Sequence, residues 1–308
     1  MNRVDNILLE YDPTGTVNLR EPAAVEAAIS EILTRRYGSA YNQQLLRRSM
    51  ADLVRCYRGQ YPWLMRSDTL YHDLRHALET GLTMARLVDG DCESSGSGCS
   101  PMDAEQALLG IILALFHDVG LIRRVGETNA WGAEFLLVHE TRSVQFVMTY
   151  LWSTPLIGFA NKAELIMPTK LNFSIPDDWS AEDHKMASMI ATADLLSQMA
   201  DRCYLEKCRD FLFLEFCAVG LAGKPDSLYP DPLSLLRNTP NFVVGLAHNR
   251  LDREFHGVSH LVEAHFNGTD PYQDAISKHL HYLGRLLESD NLAGLRRRPQ
   301  PYVDDVTV

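Results

Sequence analysis

Several features are missing from this 308-residue chain, and each absence removes a class of protein. Basic side chains are outnumbered, 29 against 40 acidic, giving a net charge of −11. A surface of that sign repels phosphate backbones, which argues against nucleic acid as a partner and for solubility. The six cysteines, at 56, 92, 99, 203, 208 and 217, form no CxxC pair, so neither a zinc ribbon nor a disulfide framework is implied. Cys92 and Cys99 share a Ser- and Gly-rich loop, where pairing under oxidation would be incidental. The opening MNRVDNILLEYD lacks the basic segment and long apolar run of a secretory signal, and the most continuous apolar stretch, ALLGIILALF, is too short to cross a bilayer. A cytoplasmic chain with no membrane partner is expected. No set of period-two segments separated by turn pairs is present, and no repeat of solenoid length, so the expected class is all-α.

What is present is helical periodicity. Pro22 and Gly38 bracket PAAVEAAISEILTRRYG as a first-position proline and a terminal glycine should. Further helices are expected through NQQLLRRSMADLVRCYRG and SDTLYHDLRHALETGLTMARLVDG, the latter amphipathic. After the loop DCESSGSGCSP, a strongly apolar helix runs through MDAEQALLGIILALFHDVG to Gly120. AEFLLVHETRSVQFVMTYL, NKAELIM and SAEDHKMASMIATADLLSQMADR follow, with Ser180 capping the last and Asp183 in its first turn. The length suits one helical domain over 21–290 with its chemistry within about 65–220. Residues 1–20 read as an N-terminal extension and 291–308 as a frayed tail.

Polar residues that interrupt apolar helices carry the chemical signal. In YHDLRHA, His72 and His76 stand four residues apart, which on a helix places them on one face. In LALFHDVG, an apolar helix ends in His117 and Asp118, and Asp194 interrupts MASMIATADLLSQMA in the same way. Burying carboxylates beside imidazoles is costly unless something pairs with both, and a metal ion does so. His76, His117, Asp118 and Asp194 make a mixed nitrogen and oxygen site suited to Zn, Mn, Fe, Ni or Co.

The order His76, His117-Asp118, Asp194 resembles the H…HD…D signature of the HD-domain metal-dependent phosphohydrolases. YHDLRHA is similar to the YHNxxHA motif of class I cyclic nucleotide phosphodiesterases, and TNAWGAEFLLVHETRSV to the segment that follows their HD pair. The resemblance spans roughly residues 65–220 and implies an all-helical HD/PDEase-like bundle and phosphoester hydrolysis. It departs at Asp73, where the phosphodiesterases have Asn, at Leu121, where their motif continues to another histidine, and at QFVM (145–148), which replaces a Glu-Asn-His-His run. No counterpart follows Asp194 for the glutamine that grips their purine. The resemblance implies that His72 donates a proton to the leaving oxygen; a plain surface residue is the alternative. His139 and Glu140 either touch the site or hydrogen-bond within the core. Arg75, Arg142 and Lys170 are candidates for phosphate contacts, against the ordinary alternative of solvated charges. His248, His256, His260 and His265 read as a helix surface or a subunit contact.

Together these point to a phosphohydrolase, of the phosphodiesterase type, acting on a small nucleotide-like phosphoester with one divalent metal. Asp118 is the bridge to any second, weaker Mg or Mn. Two other classes stay open: a non-catalytic nucleotide-binding HD module that signals to a partner, and a di-iron HD oxygenase. A homo-oligomer is also left open.

Overall fold

A computed structural model describes residues 8–94 and 102–302. Among them the extended elements are all helical; backbone pairing is confined to isolated bridges such as Leu64 to Arg124. The long helices are α1 (Pro22–Tyr37), α2 (Gln43–Tyr57), α3 (Leu74–Ser94), α4 (Ala104–Leu115), α5 (His139–Leu151) and α6 (Ala181–Ala200). They continue with α7, the helical stretch 204–218, then α8 (Pro232–Leu246) and α9 (Pro271–Glu288). A tighter helical segment, Ile157–Thr169, links α5 to α6. Local chemistry sets the ends. Pro22 opens α1, and Gly38 closes it at φ 57°, a left-handed value that glycine adopts without strain. Asn42 caps α2, Asp103 and Gln106 form a capping box on α4, and Ser180 caps α6 through the Asp183 N–H.

α3 is the axis of the molecule. It packs against α1, α4, α6 and the short helix Leu261–His265. Eighteen of its 21 residues are buried, so its polar face is enclosed along with its apolar one. Its polar residues therefore have to find partners inside the protein.

Three sequence expectations need correction. The helix carrying His76 begins at Leu74, so His72 lies in the bend before it; the Asp73 carboxylate accepts the His76 N–H at 3.0 Å and starts the helix there. α4 stops at Leu115, and Phe116 to Asp118 form a turn in place of a helix running on to Gly120. Within the described residues, the segments outside the helical body are docked on it: Asp12 is fully buried against Arg86, Leu295 is buried, and the Tyr302 hydroxyl donates to the Arg20 carbonyl. The Ser/Gly loop lies largely at 95–101, outside the described residues; of the suggested Cys92–Cys99 pair, Cys92 stands in the last turns of α3 and Cys99 lies outside the described residues.

The apolar stretch around α4 is also longer than the ten-residue run suggests. Ala104–Leu121 has a mean hydropathy of 1.4 over 18 residues, long and apolar enough to cross a membrane by composition alone, but 89% of it is buried inside the fold. It packs against α2, α3 and α6, which accounts for its apolarity.

Candidate metal centre

Three chain segments converge at the N-terminal end of α3. His76 comes from its first turn, His117 and Asp118 from the turn after α4, and Asp194 from the interior of α6. All four are buried. Nε2 of His76 lies 3.2 Å from Nε2 of His117, 3.1 Å from Oδ1 of Asp194 and 3.5 Å from Oδ2 of Asp118. Nε2 of His117 lies 3.2 Å from Asp118 Oδ2 and 3.4 Å from Asp194 Oδ1. His76, His117 and Asp118 offer ligand atoms that are all within 4.8 Å of one another, and Asp194 joins them through the two imidazoles.

The tautomers follow from the partners. Nδ1 of His117 sits 2.8 Å from the Ala114 carbonyl, which can only accept, so Nδ1 carries hydrogen and Nε2 is turned to the cluster. His139 repeats this, donating from Nδ1 to the Leu136 carbonyl at 2.7 Å, with Nε2 3.1 Å from Asp118 Oδ1. The turn that presents His117 and Asp118 is held from α5. The Ser143 hydroxyl accepts the Gly120 N–H at 2.9 Å, and a Cβ at Gly120 would run into the His139 carbonyl, so only glycine permits this approach.

The donor set fits a divalent cation. Four ligands bonded at about 2.0–2.1 Å in a tetrahedron stand about 3.4 Å apart, and the separations just given bracket that value. Asp118 Oδ2 is buried with no hydrogen-bond partner. Burial opposes charge on His117, Asp118 and Asp194, yet their mutual attraction prevails: the His117 pKa is driven well above its ordinary value and those of both carboxyls below theirs. A bound cation would balance the same two carboxylates.

His72 is brought to the same place by a residue that the sequence reading missed. Oε2 of Glu215, on α7, takes the His72 Nδ1–H at 2.5 Å, while its Oε1 accepts the N–H groups of Leu70 and Tyr71, both at 2.7 Å. Burial works against the imidazolium, but the Glu215 carboxylate overrides it and raises the His72 pKa to about 9. The ring centroids of His72 and His76 are 6.0 Å apart, so His72 stands beside the cluster. Gln198, one turn after Asp194, was missed too; it donates to Asp194 Oδ1 at 2.5 Å.

A cavity of 510 Å³ opens onto these groups and is lined by His72, Asp118, His139, Glu140, Lys170 and Asp194, among others. Lys170 Nζ donates to the Leu137 carbonyl at 2.7 Å and lies 3.6 Å from Glu140 Oε2. Two expected phosphate contacts are elsewhere. Arg75 points to Asp201, at 2.8 Å. Arg142 grips Glu127 with both terminal nitrogens and donates from Nε to the Gly120 carbonyl, which makes it a brace for the turn. The later histidines also lie apart from the cavity: His256 stacks on His184 and His265 pairs with Asp89. The chain matches no family model, no curated protein and no solved structure.

Proposed function

We propose that this chain is a metal-dependent phosphohydrolase of the phosphodiesterase type, acting on a small phosphoester. The observation that carries the reading is the convergence of His76, His117, Asp118 and Asp194 around one point, with a Glu215-supported imidazolium one ring away across an open cavity. His76, His117, Asp118 and Asp194 would hold a divalent ion, which would supply Lewis acidity and lower the pKa of a water toward ~7. The protein's own groups do the rest. His72 gives the proton on Nε2 to the departing oxygen, since Nδ1–H stays bonded to Glu215. Lys170, at the cavity wall, offers its ammonium to a phosphate oxygen. Asp118 would also be the bridge to a second ion such as Mg or Mn, with His139 beside it, but two residues are few for one, and a single ion suffices for this chemistry.

Metal analysis of the purified protein, followed by turnover of bis(4-nitrophenyl) phosphate and of cyclic, linear and monophosphate nucleotides, tests the reading. A stoichiometric divalent metal and metal-dependent release of nitrophenolate are expected. Metal bound with no ester cleaved would indicate a binding module instead.

A further inference from the structure

The cavity does not end at the polar groups. Leu171, Tyr204, Leu212, Phe216, Leu221 and Phe242 line both it and a second chamber of 270 Å³, which makes the two adjoining parts of one space. The near part holds the titratable groups; the far part is walled by side chains such as Cys208, Leu228, Tyr229 and Leu235. Its polar atoms are few, and several of them are engaged within the protein. The Thr239 hydroxyl donates to the Leu235 carbonyl at 3.0 Å and the Asn238 amide to the Ser234 carbonyl at 3.1 Å, while Tyr204 pairs with Cys208. The Tyr229 ring lies stacked on Phe216 at 5.7 Å. Three large apolar side chains of these walls, Leu171, Leu228 and Phe242, are nonetheless 49%, 65% and 40% exposed. Apolar groups gathered in the open around a cavity mark a binding surface more often than chance exposure does.

We propose that the far chamber holds a hydrocarbon chain of the substrate, so that the ester is a phosphate amphiphile and not the nucleoside ester expected from the motif. A nucleobase carries several donors and acceptors, each costly to bury without a partner, and the chamber has few groups left to meet them. A hydrocarbon asks for none and gains from every carbon removed from water. The inference rests on the phosphohydrolase reading only for what happens at the phosphate end.

Two measurements on the metal-loaded protein separate the claims: kcat/KM for ethyl, butyl and hexyl 4-nitrophenyl phosphate diesters, and calorimetric binding of ethyl-, butyl- and hexylphosphonate. Each added methylene should raise kcat/KM and affinity roughly fourfold, and binding should show a negative heat-capacity change that grows with chain length. The exposed positions of Leu228 and Phe242 allow substitution without loss of the fold, and L228S with F242S should flatten both slopes. Chain-length slopes near zero, or nucleoside esters preferred over the hexyl ester, would overturn the hydrocarbon chamber while leaving the hydrolase intact. A clear slope in phosphonate binding with no ester cleaved would keep the chamber and overturn the hydrolase.

Discussion

Two buried polar clusters lie on different sides of α3, and they balance their charges in different ways. On one side Asp201 sits between Arg75 at 2.8 Å and Lys207 at 2.7 Å and also accepts the Cys203 N–H at 2.6 Å. Burial opposes its charge, but the two cations hold its carboxyl well below the usual range. Glu79 beside it has its pKa pushed up to about 8 by burial and by Asp201, against the pull of Arg75 and Lys207. On the other side Asp118 and Asp194 face the imidazoles of His76, His117 and His139, with no arginine or lysine on either carboxylate among the described residues. Both clusters are equally buried. Each cluster keeps unbonded polar atoms, Arg75 Nε and Nη2 and Glu79 Oε1 in the first and Asp118 Oδ2 in the second, but the first brings its own counter-cations, whereas Asp118 Oδ2 lies among imidazole and carboxylate groups that could hold a cation from outside.

The comparison breaks most visibly if the clusters respond alike to losing one carboxylate. Asp118→Ala should abolish metal binding and turnover in protein that still folds. Asp201→Ala should leave Arg75 and Lys207 unpaired and cost about 3–5 kcal/mol of stability, with metal stoichiometry per folded molecule unchanged. Chemical denaturation and metal analysis of the two variants read this directly; metal lost from Asp201→Ala and retained by Asp118→Ala would reverse the assignment.

A second test sharpens the roles within the site. His72→Ala should retain metal and lose ~10²–10⁴-fold in kcat on an ester with an alkoxide leaving group, and much less on one that releases nitrophenolate. Equal losses on both would make His72 a phosphate-positioning group. Glu215→Gln keeps an acceptor for Leu70 and Tyr71 but removes the charge that overrides burial at His72. The acid form of His72 is then lost at lower pH, so the alkaline limb of the pH–rate profile should move down by at least about one unit.

Smaller effects follow from the same contrast. Binding of a divalent ion to the folded state alone should stabilise it by about 2.7 kcal/mol at a hundredfold excess over Kd, so chelation should lower Tm in native protein and not in Asp118→Ala. The smallest expected change is at Asp73, whose side chain caps α3 between the two histidines. Asp73→Ala should cost about 0.5–2 kcal/mol, whereas Asp73→Asn, which keeps the acceptor, should be close to neutral in thermal melts.

How much of this was legible depended on which physical signal each residue left in the chain. Asp194 stands out because a carboxylate interrupts an apolar helix, and Glu215 sits in FLFLEFCAV with the same mark. It escaped notice because its partner, His72, is 143 positions away and nothing local joins them. Arg75 and Arg142 look alike in sequence, as cations near the motif, but their directions were decided by Asp201 and by Glu127. The i,i+4 spacing of His72 and His76 suggested one helical face. In fact a cap at Asp73 separates them, and it is Glu215, not the helix, that brings His72 to the site.

The sequence by itself determined the all-helical class, most helix starts and the presence of four polar residues in apolar surroundings, each in need of a partner, because periodicity, caps and the cost of burying charge act over a few residues at a time. Only the tertiary structure decided which cations face the site, which groups are braces, where the termini dock and how far the cavity runs into apolar walls. Those depend on contacts between segments that are distant along the chain, and a linear pattern carries no record of which distant segments will meet.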